Sequence, residues 1–193
     1  MRIIAGEYGG RLLKSPPDER TRPMLDRVRE AVFSSLGERV EGARVLDLFA
    51  GTGSLGLEAV SRGAVHARLV ESDAKILKLL RENVAALGVA ERAKVAPGDA
   101  LRRESWTARG DVAPYQVIFV DSPYPLLSGA ATRRLLLNAL DALTTEFLDA
   151  SGRLVFHAPR EVVDIAEFGT RVRAVSRAYG TSDIWYLESE PSA

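Results

Sequence analysis

Four carboxylates stand at or near the ends of four stretches that read as β-strands: Asp47, Glu71, Asp99 and Asp121. The first belongs to Val45-Leu46-Asp47-Leu48-Phe49, which runs through Ala50 into Gly51-Thr52-Gly53-Ser54-Leu55-Gly56. A strand, a glycine turn and a helix in that order put backbone N–H groups and a helix N-terminus beside a ligand. The turn satisfies G-x-G-x-x-G, and Glu71 follows at the spacing of a ribose-binding carboxylate, so these residues alone point to a dinucleotide. No G-K-[ST] follows, which excludes a Walker phosphate loop.

Asp47 changes that reading. A pyrophosphate at the turn is anionic, and a carboxylate in the same low-dielectric crevice repels it. The same carboxylate suits a ligand with a positive centre and no phosphate. S-adenosylmethionine carries a sulfonium and an α-ammonium on an adenosine. Asp47 would attract the ammonium directly or through water, and Glu71 and Ser72 would take the ribose, with Glu71 binding both hydroxyls. Phe49, Ala50, Gly51, Thr52 and Gly53 would form the wall of the cofactor site. Asp99 and Ala100, after the third strand, would meet the adenine edge; the bland alternative for Asp99 is a helix N-cap, and both roles are not easily filled at once.

Val117-Ile118-Phe119-Val120 leads into Asp121-Ser122-Pro123-Tyr124-Pro125. This stretch resembles the amino-methyltransferases that carry an Asp/Asn-Pro-Pro-aromatic motif after the fourth strand. An exocyclic amine is a poor nucleophile because its lone pair is delocalised into the ring. A carboxylate and a carbonyl on a rigid proline turn can accept both N–H bonds, and an aromatic ring can stack on the base. Asp121 is then the amine acceptor, Ser122 supplies the second carbonyl, Pro123 stiffens the turn and Tyr124 is the stacking platform. Asp121 also borders the cofactor. Ser122 stands where proline is commonest; the carbonyl survives that change, and some rigidity does not.

The elements that must position these groups alternate. Strands are predicted at 44–49, 67–71, 93–96 and 116–121, and helices at 54–62, 73–87, near 99–107 and over 130–148 with a break. Ile76, Leu77, Leu80, Val84 and Leu87 share one side of the second of these helices and Gly88 ends it. Alternation of this kind argues for a mainly parallel sheet with helices on both faces. The tail differs: a strand at 152–157 precedes two β-rich runs, 171–179 and 182–188, joined by Gly180-Thr181, which must pair antiparallel or cross sheets. Ahead of the alternating region, residues 2–14 read as two short strands around a glycine turn, and a helix is expected from Pro23 to Leu36, stopped by Gly37.

The chain has 193 residues, 26 basic and 26 acidic side chains, no cysteine and two histidines, His66 and His157. A single domain of that size is expected, with no disulfide, no cysteine nucleophile and no metal site. Charges interrupt every apolar stretch, so no membrane span is expected and the default is a cytoplasmic protein. Residues 1–29 hold seven basic side chains against four acidic ones. That excess fits a solvated surface or a local contact with a polyanion.

A wider resemblance follows from the start of the chain, Arg2-Ile3-Ile4-Ala5-Gly6, then Gly10-Arg11, Thr21-Arg22-Pro23 and Asp26-Arg27-Val28-Arg29-Glu30-Ala31-Val32-Phe33, together with Asp47 to Ala59 and Val70-Glu71. These residues resemble the RsmD family over nearly the full length. The resemblance implies an α/β, Rossmann-like class I methyltransferase. Its sheet would be seven-stranded and mostly parallel, with one antiparallel strand, helices on both faces and a small N-terminal β-hairpin. It implies methyl transfer from S-adenosylmethionine to the exocyclic N2 of a guanine in small-subunit (16S) ribosomal RNA, free or in an assembling subunit, with S-adenosylhomocysteine as product. It further implies that Thr21, Arg22 and Pro23 help close the cofactor site, and that residues 1–20 form an RNA-contacting extension of the 21–193 domain. Arg2, Arg11, Lys14, Arg20 and Arg22 are the phosphate-contact candidates; a monomer without metal or membrane is expected. The other readings are an adenine-N6 methyltransferase on DNA or RNA, a nucleotide-dependent oxidoreductase, and a non-catalytic RNA-binding assembly factor.

Overall fold

The computed structural model describes residues 1–16, 24–107 and 114–190. Among them are seven strands: β1 (Arg44–Leu48), β2 (His66–Glu71), β3 (Ala93–Pro97), β4 (Tyr115–Val120), β5 (Leu148–Pro159), β6 (Val172–Tyr179) and β7 (Ser182–Ser189). They form one sheet in the order β3-β2-β1-β4-β5-β7-β6. The pairs from β3 through β5 are parallel. β7 runs antiparallel to both β5 and β6, so it is the one reversed strand. Gly180, at φ +61°, makes the two-residue turn between β6 and β7 that Gly180-Thr181 announced.

Alternation along β1 sets the layers. Val45 joins the core under α1 (Asp26–Leu36), α2 (Gly56–Ser61) and α3 (Ala74–Leu87), while Leu46 and Leu48 join the core under α4 (Pro125–Ser128) and α5 (Ala130–Ala142). Asp47 therefore faces the same side as Val45, toward α2. The α3 helix matches its pattern: the Asp73 carboxylate caps it by accepting from Lys75 N at 2.8 Å and Ile76 N at 3.0 Å, and Gly88 closes it at φ +69°. The stretch expected as one helix with a break is α5 followed by a π-helical turn over Leu143–Phe147, and the short α4 precedes it.

One expectation is corrected. The helix near 99–107 is only a 3-10 turn, Arg103–Ser105. Trp106 Nε1–H takes the Ala100 carbonyl at 2.9 Å, and Asp99 Oδ1 takes the Leu101 N–H at 2.9 Å, so local side-chain bonds replace the helical ladder. The small N-terminal hairpin is present: an antiparallel bridge joins Arg2 to Leu12, the Arg11 and Met1 carbonyls accept from Ile3 N and Leu13 N at 2.9 Å each, and the segment is docked on the domain. Ile3 and Leu13 are buried in the core. Glu58, wholly buried on α2, accepts from Ile4 N at 2.7 Å, Ala5 N at 3.0 Å and Arg62 Nε at 2.7 Å. Arg29, buried on α1, donates to the Arg2 carbonyl at 2.5 Å, and Asn83 on α3 pairs with both the N–H and the carbonyl of Lys14.

These buried contacts dock residues 1–14 on the domain. Among the described residues, no helix is long and apolar enough to cross a membrane.

Removal of residues 1–14 should lower the urea midpoint and cost about 3–6 kcal/mol, the order expected for uncovering two core side chains; it also leaves the buried Glu58 carboxylate without its amide donors. An unchanged midpoint on equilibrium unfolding would return the segment to the status of an appendage.

Candidate active site

Parallel strands end at one edge of the sheet, and the predicted site residues lie along it. Leu48 pairs with Val120 and with Val70, so the turn after β1 sits between the ends of β4 and β2. Glu71 pairs with Pro97, which puts Gly98, Asp99 and Ala100 just beyond the end of β3. Phe49 to Gly53, Glu71, Ser72, Asp99, Ala100 and Asp121 to Tyr124 therefore share one crevice. Arg20, Thr21, Arg22 and Pro23 lie outside the described residues.

The glycine turn is held by two carboxyl groups. Asp47 Oδ2 accepts from Gly56 N at 2.8 Å, the first residue of α2. A Cβ on Gly56 would collide with Leu69 and come within 2.9 Å of Asp47 Oδ2, so only glycine allows this approach. Glu71 Oε2 accepts from Gly51 N at 3.0 Å, and its Oε1 accepts from Ser72 N and Asp73 N at 2.8 Å each. The turn needs unusual backbone angles: Phe49, Gly51 and Gly53 have φ of +60°, +57° and +93°. Positive φ at a phenylalanine is strained, and the bonds from both sides keep it there. Ala50 contributes wall only, since its N–H goes to Val70 O at 2.9 Å and its carbonyl takes Gly53 N–H at 2.9 Å.

Two site readings are sharpened by this geometry. Of the four acceptor positions on the Glu71 carboxylate, three are occupied by backbone amides, which leaves one for a ribose hydroxyl where two were expected. Asp47 is wholly buried, and burial pushes its pKa from 3.8 up to about 8; the Gly56 bond opposes the rise, and the Asp121 and Glu71 charges add to it. In the surroundings the chain itself supplies, Asp47 holds its proton at neutral pH. It does not present an open carboxylate to an ammonium, because α2 closes over it. Its Oδ1 has no hydrogen-bond partner among the described residues.

Asp121, just past β4, meets a residue that the sequence reading did not single out. Its Oδ1 lies 2.7 Å from His157 Nδ1 on β5. His157 Nε2 lies 3.3 Å from the Tyr124 hydroxyl, which lies 3.3 Å from Ser182 Oγ at the start of β7. The signal was present as one of two histidines at the C-terminal end of a predicted strand, where ligands of parallel sheets bind. Ser122 is buried, and α4 follows at once: the Pro123 and Tyr124 carbonyls accept Leu126 N–H and Leu127 N–H at 3.0 Å each. These bonds stiffen the loop where a second proline is missing.

Asn83 is the other residue near the turn that was not anticipated. Buried on α3, it donates to the Thr52 carbonyl at 2.9 Å and so ties the glycine turn to the Lys14 backbone. The three described phosphate-contact candidates are exposed. Arg2 lies 3.6 Å from Asp26, and Lys14 lies 2.8 Å from Glu82. Among the described residues, no group of three or more His, Cys, Asp or Glu side chains could hold a metal.

A seven-stranded sheet with its last strand inserted in reverse, a glycine turn after β1 and an Asp-Ser-Pro-Tyr loop after β4 define a Rossmann-like class I methyltransferase. Residues 1–188 match the family described as "Conserved hypothetical protein 95". The chain belongs to that family, which is the RsmD family of ribosomal RNA methyltransferases. It is 34% identical over 186 residues to "Putative rRNA methyltransferase YlbH" of Bacillus subtilis (strain 168), covering 95% of this chain and 96% of that one. It is 41% identical over 124 residues to "Ribosomal RNA small subunit methyltransferase D" of Escherichia coli (strain K12), covering 64% of this chain and 60% of that one. Among solved structures, "Putative methyltransferase yhhF" from Escherichia coli superposes with a TM-score of 0.80 at 30% identity, covering 100% of this chain and 99% of that one.

The raised pKa of Asp47 has a signed consequence. The native state keeps a proton that the unfolded chain loses above about pH 4, so the stability linked to Asp47 is complete in acid and is lost as pH rises toward about 8. Urea unfolding at pH 5 and pH 8 should therefore show Asp47→Asn gaining stability relative to wild type at the higher pH. A constant difference would mean that Asp47 is already ionised in the fold. Gly56→Ala should lose about 1–3 kcal/mol in the same assay from overpacking against Leu69 and Asp47.

Proposed function

We propose that the crevice binds S-adenosylmethionine and that the chain transfers its methyl group to the exocyclic N2 of a guanine in small-subunit ribosomal RNA. The observation that carries this reading is the placement of Asp121 beside the glycine turn, one strand over and at the same edge of the sheet.

The residues fit the cofactor. A Cβ on Gly51 would meet only the Phe49 carbonyl oxygen at 4.0 Å, which leaves room for a ligand against the turn, and Glu71 keeps one acceptor for a ribose hydroxyl. Ser72 and Asp99 are exposed at the ends of β2 and β3, where the ribose and adenine would lie, with Ala100 behind them. When bound, S-adenosylmethionine supplies an electrophilic methyl group on a sulfonium. The protein's own task is to hold and orient the amine. Asp121 accepts one amine N–H and the Ser122 carbonyl the other, which favours a pyramidal nitrogen with its lone pair directed at the methyl group. The Tyr124 ring, partly exposed at the mouth, stacks on the base. A paired guanine must be flipped out, or offered unstacked in a loop. Guanine N2 is favoured over adenine N6 by the N-terminal resemblance, since the loop chemistry serves either amine.

Incubation with labelled S-adenosylmethionine and unmodified small-subunit RNA, naked and assembled, followed by mapping of the methylated base, tests the assignment. Label on an adenine N6 would replace it. Asp121→Ala should lower transfer by about 100-fold or more while S-adenosylhomocysteine affinity changes less than about twofold, because Asp121 acts on the amine. Loss of cofactor affinity with intact turnover of bound cofactor would reverse the roles.

A further inference from the structure

His157 belongs to no motif named above, yet its polar contacts run to the proposed amine-binding loop. The register explains how it arrives there. β4 and β5 pair Ile118 with Leu154, Phe119 with Val155 and Val120 with Phe156, so the next pair in step is Asp121 with His157. Phe119 and Val155 face the α1 side, and two residues further on Asp121 and His157 face it as well. Parallel neighbours on one face bring the side chains together without any local sequence signal.

The imidazole is 8% exposed, so its two nitrogens must find partners inside the protein. They find Asp121 at 2.7 Å and Tyr124 at 3.3 Å, two residues proposed to touch the substrate base. The Tyr124 ring also meets the imidazole edge to face, with centroids 5.7 Å apart and planes at 72°.

The network assigns the tautomer. An ionised Asp121 only accepts, so Nδ1 carries the proton and donates to Oδ1. Nε2 then has a lone pair and accepts the Tyr124 O–H. The Tyr124 oxygen is left to accept the Ser182 O–H. Every donor in this chain points toward the carboxylate, and such aligned bonds reinforce one another.

We propose that His157 is the positioning residue of the amine-acceptor loop: by fixing Asp121 Oδ1 and the Tyr124 hydroxyl together, it leaves Asp121 Oδ2 as the acceptor for the substrate amine and holds the stacking ring at the matching height. The proposal rests on the methyltransferase reading above. A histidine that merely filled the sheet would have its nitrogens on backbone groups or water; here both reach the two ends of the substrate-holding loop. Ser182 extends the same chain to the β6–β7 turn, which ties the reversed strand to the amine site.

Two measurements test it. Only His66 and His157 contribute imidazole signals, so nitrogen NMR on His66→Gln protein reports His157 alone. The Nδ1–H tautomer is expected, shifting toward Nε2–H in Asp121→Ala; an Nε2–H tautomer in the parent protein would overturn the proposal. In methyl-transfer assays, His157→Leu should lower kcat by about 100-fold, with KM for RNA and S-adenosylhomocysteine affinity each within about threefold. His157→Asn places an amide N–H near the Nδ1 position and should recover at least a tenth of wild-type kcat, whereas His157→Gln should recover less. Equal loss in all three variants, or loss of cofactor affinity and melting temperature along with kcat, would make His157 a structural residue. Absence of guanine methylation by wild type would overturn the substrate reading separately, because the tautomer measurement uses no RNA.

Discussion

A single amide on a single buried carboxyl fixes the cofactor side of this crevice. Asp47 takes the Gly56 N–H at 2.8 Å, and α2 can come that close because residue 56 has no side chain. The contact sets where α2 begins, and the turn from Phe49 to Gly53 must span the remaining gap. That demand appears as positive φ at Phe49, Gly51 and Gly53. Strain of this kind persists only where the surroundings over-determine it. Glu71 supplies the second restraint through Gly51, and Asn83 the third through the Thr52 carbonyl. The chain's own groups supply all three restraints, and a backbone held by its own fold reduces the ordering that ligand binding must accomplish.

The same helices carry the N-terminal segment. Glu58 on α2 holds Ile4 and Ala5, and Asn83 on α3 holds Lys14 while its amide also reaches Thr52. Residues 1–14 are thereby coupled to the glycine turn through one buried side chain. Arg2 and Lys14 lie beside Asp26 and Glu82 on the domain surface. The Arg2–Asp26 pair lies inside the count for the first 29 residues, and Glu82 beside Lys14 is offset by Arg92 beside Glu7, so these pairs leave the basic excess of the segment unchanged.

What was legible in the sequence was whatever depends on near neighbours. The 73–87 periodicity with Gly88 defined α3, and Gly180-Thr181 defined the reversal into β7, because caps and turns are decided within a few residues. The four carboxylates at strand ends were found because each stands in or just after its own strand. The missing pieces depend on partners far along the chain. His157 stands 36 residues from Asp121, and only the β4–β5 register joins them. The expected helix after Asp99 yielded to Trp106 claiming the Ala100 carbonyl, and the grip of Glu58 and Asn83 on the edges of the expected hairpin joins residues more than fifty positions apart. The protonation of Asp47 was beyond sequence because it follows from complete burial, and a carboxyl in a strand gives no local sign of what will cover it.

Asp47 and Asp121 show how little separates a structural acid from one proposed to hold substrate. They lie on adjacent parallel strands and face the same side of the sheet. Asp47 is opposite Phe119, so Asp121 stands two residues further toward the crevice, roughly 7 Å along the strand. Below that step, α2 seals the carboxyl from water and Gly56 offers one donor, so the proton stays on. Above it, β4 has ended, and the Asp121 side chain keeps 22% of its surface exposed with His157 beside it. An acid can accept an amine N–H strongly only if its charge remains tolerable, and partial exposure together with a donating imidazole supplies that tolerance. The sheet thus holds two aspartates at two depths: the deeper one organises backbone, and the shallower one remains able to meet a base.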